Sequence, residues 1–224
     1  IFVIIGRVPK GFGWRLTLLL VLGGFQGVVG WWMVKSGLTE QASVSQYRLA
    51  SHLAVALVIF SLLIWTGFDL RDGSAKSPKG HGMASLALLG ITILAGALVA
   101  GMDAGLLYNH YPLMGTGLVP VEYGEAGWLD PFENPASAQF HHRWIAAVTF
   151  GAVVVLALNA RRHGLHLRSN LVLGAVVVQF VLGIVTLLHG VPVALGGMHQ
   201  AGAVLLLGCL LALLHGESHH RQNI

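Results

Sequence analysis

"FENPASAQFHHRWIAAVTFGAVVVLALNARR" (residues 132–162) puts a polar, Pro-containing opening, two histidines and an arginine in front of a continuous apolar run that ends on two arginines. A helix crossing a hydrocarbon core of ~30 Å needs about 20 predominantly apolar residues, whereas a strand of a membrane barrel needs about 10 with alternating polarity. The run is continuous and does not alternate, so it reads as a membrane-spanning helix.

Five more segments have the same character. The spans expected are 14–34, 49–68, 83–101, 140–160, 170–188 and 195–215. The opening "IFVIIGRVPKGFGWR" reads as the tail of a further helix, at 1–6, whose beginning lies upstream. The chain has 224 residues, 55% hydrophobic and only 10% charged, against about 25% charged in soluble domains. An all-α polytopic membrane protein follows, and its 30 glycines suit helices that pack closely in lipid.

The net charge of +4 does not point to nucleic acid, because the basic residues sit in short loops between spans. Ten of the 13 lie on one side: Arg7, Lys10, Arg15, Arg71, Lys76, Lys79, Arg161, Arg162, Arg168 and Arg221. Only Lys35, Arg48 and Arg143 lie on the other. By the positive-inside rule the first side faces the cytoplasm or matrix, in a bacterial or mitochondrial inner membrane. Six of the nine acidic residues are on the outer side: Glu40, Asp103, Glu122, Glu125, Asp130 and Glu133. The long outer loop, 103–139, carries Tyr108, Tyr111, Tyr123, Trp128 and Phe132, and its composition predicts an ordered cap. Cys209 lies in an apolar run and packs as a small hydrophobe.

The sequence also repeats. "QGVVGWWMVKSG" (26–37) and "QFVLGIVTLLHG" (179–190) share Gln, Val, Gly and Gly at matching offsets. Each stands on an outward-running span and is followed by an inward-running span with a histidine near its start, His52 and His199. Within each unit Gln, Gly and Gly fall on one helix face.

That placement sorts the 12 histidines. His81, His163, His166, His215, His219 and His220 belong to inner basic loops or the C-terminus and are expected to be solvated or interfacial. His110 and His189 are expected at the outer rim. His52, His199 and the His141–His142 pair open inward-running helices at one depth, and ionisable groups inside a membrane are usually functional. Neighbouring helix residues diverge by about 100°, so only one of the pair points into the bundle. Two imidazoles from facing helices are a standard way to hold haem iron. Zinc would want a tighter cluster with Cys or carboxylate ligands. Arg143 reads either as a propionate partner or as an interfacial side chain reaching for water.

The segment "VAGMDAGLLYNHYPLMGTGLVP" (99–120), followed by "FENPASAQFHHRWIA", resembles the haem A synthase family in its proteobacterial and mitochondrial branch. "MHQAGA" (198–203) and "SHL" (51–53) extend the resemblance over the whole chain. It implies eight helices in two pseudo-symmetric four-helix halves, of which six full spans and one partial span are expected here. Residues 1–80 would be the remainder of the N-terminal, substrate-haem half and 81–224 the C-terminal half. It implies oxidation of the C8 methyl of haem O to a formyl group, with a b-type haem as cofactor. The ligand of the family's motif is the histidine directly before Arg, which selects His142; its partner is His199. His52 is one of two ligands in the substrate half, the other ligand and a glutamate implicated in the chemistry being expected before Ile1. Asp103 and Tyr108 are weak candidates for proton transfer, with loop-ordering hydrogen bonds as the plainer role. Expected partners are haem O, haem O synthase, assembly factors of the terminal oxidase, the bilayer and further copies of the chain. The haem sites are expected toward the periplasm or intermembrane space. A b-type cytochrome serving only as an electron conduit would use the same histidines. A repeat-built transporter fits less well, since the polar residues gather at one face and not at the midplane.

Overall fold

The computed structural model describes residues 3, 5–35, 44–75, 78 and 80–220, the side chains of 219 and 220 excepted. Gly37 of the repeat, Glu40, Lys76, Lys79 and Arg221 lie outside the described residues. Among the described residues seven α-helices run in the order α1 (Gly13–Lys35), α2 (Gln46–Asp72), α3 (His81–Gly101), α4 (Asp130–Glu133), α5 (Pro135–Arg162), α6 (His166–Leu188) and α7 (Val193–His220). All but α4 are long and apolar enough to cross a membrane. The chain is an all-α, multi-pass membrane protein.

The helices outrun their apolar stretches because polar residues continue the backbone ladder to punctuated ends. At the start of α5 the Asn134 side chain caps the helix, its Oδ1 accepting from Ala136 N at 3.0 Å and Ser137 N at 3.3 Å, with Pro135 first in the helix. α2 stops at Gly73 (φ 91°), and the α5–α6 turn passes through Gly164 (φ 87°). The N-terminal stub departs from the expected helix tail: Val3, Ile5 and Gly6 lie in turns, and the other stub residues fall outside the described ones. Gly6 (φ 69°), Pro9 and Gly11 (φ 89°) place breakers where a helix would have to continue.

Successive long helices pack as antiparallel neighbours. α3, α5, α6 and α7 form a bundle that α7 closes against α3. The α1–α2 pair joins it through α2, which packs on both α3 and α7. α2 and α3 approach so closely near their outer ends that a Cβ on Gly101 would stand 2.6 Å from Gln46 Cα. The core lies toward the basic end, where Leu89, Val153, Ala157, Ala160, Val172, Leu210 and Leu214 are buried together. Toward the loop end the packing is looser. No residue of α5 between Gln139 and Thr149, or of α7 before Leu206, is fully buried.

At the basic end the structure corrects one expectation. His215 is fully buried, not solvated. Its Nε2 is 3.0 Å from Asp69 Oδ1, with Trp65 and Phe68 packed on the ring. Asp69 also receives Arg15 of α1 on its other oxygen and Ala75 N at 3.1 Å. Alongside, Arg168 bridges Asp72 Oδ2 at 3.1 Å and Ala212 O at 2.8 Å. Partners recruited from α1, α2 and α7 let a polar residue go where an isolated one would not.

Candidate functional site

Three histidine rings stand at the loop end of the long helices, and each packs its Cε1 side against a glycine of the preceding long helix. A Cβ on Gly30 would meet His52 Cε1 at 3.1 Å, one on Gly96 would meet His142 Cε1 at 3.1 Å, and one on Gly183 would meet His199 Cε1 at 2.8 Å. The missing side chain is therefore what admits the ring. Four residues earlier on the same helix face sits the polar partner of that ring. Gln26 Nε2 is 3.1 Å from His52 Nδ1, Thr92 O is 3.1 Å from His142 Nδ1, and Gln179 Nε2 is 3.1 Å from His199 Nδ1. The spacing repeats as "QGVVG", "TILAG" and "QFVLG".

His142 stands on α5 and His199 on α7, two helices of the same four-helix bundle. His52 stands apart, in the α1–α2 pair. His141 points elsewhere. Its Nδ1–H donates to Ser137 O at 2.7 Å, and its ring packs on Tyr123 and Phe140 in the cap.

Arg143 is committed largely to the loop. Nη2 donates to Tyr108 O at 2.7 Å, and Nη1 donates to His110 O at 2.9 Å and Leu113 O at 3.3 Å. Its buried Nε has no protein partner among the described residues. Gln139 adds a second donor to Tyr108 O, at 3.1 Å. The Tyr108 hydroxyl donates to Glu122 Oε2 at 2.7 Å, and that carboxylate pushes the phenol's pKa up. Tyr108 thus orders the loop, as does Asn109, whose amide reaches Leu187 O at 3.0 Å. Asp103 is exposed and turns the chain at the end of α3 with φ 51°.

Asp130 is the cap's buried anchor. It accepts Gly124 N at 2.8 Å, Ala126 N at 3.0 Å and the Asn134 amide at 3.0 Å. Burial alone would raise its pKa. The Ser137 hydroxyl, beside the carboxylate though outside hydrogen-bonding geometry, and these donors hold it at about 2 instead. Tyr47 of α2 bonds Glu133, so the cap spans both helix groups.

Sequence reasoning placed the three rings at one depth but missed the Thr92–Gly96 cradle, because its polar contact is a backbone carbonyl that no side chain announces. It also noted Gln26 and Gln179 only as part of a close-packing face.

A sequence model of the family described as COX15-CtaA, cytochrome oxidase assembly protein, matches residues 1–211. The chain is 44% identical over 217 residues to the heme A synthase of Caulobacter sp. (strain K31), covering 92% of this chain and 63% of that protein. It is 46% identical over 223 residues to the heme A synthase of Allorhizobium ampelinum, covering 94% and 61% respectively. The chain thus spans somewhat less than two thirds of the length of these curated relatives. No solved structure matches it.

Proposed function

Because the chain belongs to the COX15-CtaA family of cytochrome oxidase assembly proteins, with relatives named heme A synthase, we propose that it serves haem A biosynthesis. The reaction proposed is oxidation of the C8 methyl of haem O to a formyl group. His142 and His199 would hold a resident b-type haem, and His52 would hold the substrate haem. The boundary between the two halves falls near residues 80 and 81.

The observation that carries this reading is the matching pair His142 and His199, on two helices of one bundle, each ring seated on a glycine of a neighbouring helix. The donor set fits the group. Thr92 O can only accept, so His142 carries its proton on Nδ1 and presents a bare Nε2, the form that binds a metal. Arg143 Nε is the donor left for a propionate. Bound between two imidazoles, a haem supplies one-electron transfer.

With water as the oxygen source, turning the methyl into a formyl group releases four electrons and four protons, so the step needs an external electron acceptor served by one-electron transfer. The chain's residues hold the geometry for this and shield it. Arg143 and Gln139 pin the cap over the rings, and Asp130 and Asn134 keep the cap folded. Tyr108 and Glu122 form a hydrogen-bonded pair through which a proton could be relayed at the phenol oxygen. Haem O synthase would deliver the substrate and oxidase assembly factors would receive the product, in an inner membrane with the sites on the periplasmic or intermembrane-space side.

The test is extraction of haem from the purified protein expressed beside haem O synthase. Haem A in the extract is the expected result. Haem B alone would make the protein an electron conduit. His142→Ala should abolish the resident low-spin haem spectrum, and an unchanged spectrum would overturn the ligand assignment.

A further inference from the structure

The three rings sit in matching cradles, yet their partners differ in kind. His142 faces a backbone carbonyl, which accepts and cannot donate, so its tautomer is settled before any metal arrives. His199 faces the side-chain amide of Gln179. The amide nitrogen donates to Nδ1 at 3.1 Å and to His199 O at 2.9 Å. A neutral ring that accepts at Nδ1 carries its proton on Nε2, and a protonated Nε2 binds no metal. An amide carries a donor and an acceptor side by side, so Gln179, unlike Thr92 O, can serve either tautomer of His199.

The same amide can hold the other tautomer. A half-turn of its terminal bond exchanges the NH2 group for Oε1, which would then accept from Nδ1–H and leave Nε2 bare. Gln179 Oε1 is buried and has no partner among the described residues. It rests in the notch left by Gly202, where a Cβ would stand 2.3 Å away. The His199 carbonyl that loses the amide keeps its place in the α7 ladder.

We propose that Gln179 is a positioning residue for His199 that fixes the ring's orientation and, with its Oε1 accepting from Nδ1–H, the strength with which Nε2 would donate to a metal. Gln26 repeats the arrangement at His52. Its Nε2 lies 3.1 Å from Nδ1 and 3.3 Å from Nε2 of His52 and donates to His52 O at 3.1 Å, and its Oε1 is likewise buried and without a partner among the described residues. Two of the three rings thus have a reversible partner and one has a fixed partner. The inference rests on His199 being an iron ligand, as proposed above.

Gln179→Leu removes the partner, and Gln179→Glu replaces it with a stronger acceptor of the same shape. Each variant is purified as the full chain and measured for b-type haem affinity, midpoint potential and low-spin spectrum, with circular dichroism to confirm the helices. Gln179→Leu should weaken haem binding about 10- to 100-fold, the usual effect of losing a partner behind a metal-ligating histidine. Its potential should rise, because a less basic imidazole favours ferric iron less. Gln179→Glu should keep the haem and lower the potential. Unchanged affinity and potential in both variants would overturn the proposal. So would equal haem loss in both with helicity intact, since only packing would then matter at this position. The ligand reading fails separately, if His199→Ala keeps the wild-type spectrum.

Discussion

The cradle around His52 and the cradle around His199 are built alike, Gln at one position and Gly four residues on, but they stand in different surroundings. His199 shares a four-helix bundle with His142, above a core in which α5, α6 and α7 bury residues toward the basic end. His52 belongs to an α1–α2 pair in which α1 buries only Val29. The difference teaches that a ring cradle is a local device carried by one helix face, whereas a pair of such rings is a property of a closed bundle. The two helix groups nevertheless meet at both ends, through the cap at Tyr47 and Glu133 and through Asp69 at the basic end.

The sharpest way to break the comparison is at the rings themselves. His142→Ala should remove the b-type haem spectrum completely, while His52→Ala should leave it in place; equal loss would mean the two sites are not separate. Next comes the junction. Asp69→Ala strips the buried His215 of its carboxylate and releases Arg15, and should cost about 1.5–3 kcal/mol in thermal unfolding in detergent. Arg15 remains partly solvated, which limits the loss. A single cooperative transition lowered as a whole would show that α1–α2 and the bundle unfold together, and two transitions would separate them.

The glycines give a smaller and graded effect. Gly183→Ala puts a methyl 2.8 Å from His199 and should destabilise by about 1–2 kcal/mol and weaken haem retention. Gly30→Ala meets His52 at 3.1 Å, so the gain of roughly 1 kcal/mol in helix propensity should nearly offset the crowding. Reversal of that order in melting temperature would contradict the ring positions. The smallest effect concerns the cap. The folded pKa of Asp130, about 2, lies below the ordinary carboxylate value near 4, so its contribution is complete above about pH 4 and is lost as pH falls through about 2. Pepsin cleavage within residues 103–134 should rise across that window, measured against Asp130→Asn, in which the cap should already be open.

Much of this protein was legible along the chain. Apolar length and the absence of alternation gave six spans, and their antiparallel order follows from the short connections. The depth shared by His52, His142 and His199 was readable too, because each opens an inward-running span. The Asp69–His215 pair left only a faint signal, opposite polar residues in the last turns of α2 and α7, and was misread because the two positions are 146 residues apart in sequence. The role of Arg143 in holding three loop carbonyls was equally hidden, since a backbone oxygen has no letter in the sequence.

By itself, then, the sequence determined what each helix carries: its length, which of its ends is polar, and which residues share a face, all consequences of a fixed rise and a fixed turn per residue. Only the tertiary structure decided what each face meets. Whether a histidine finds a carbonyl, an amide or another histidine depends on how closely two helices approach, and that is set by glycines on one helix and rings on its neighbour acting together.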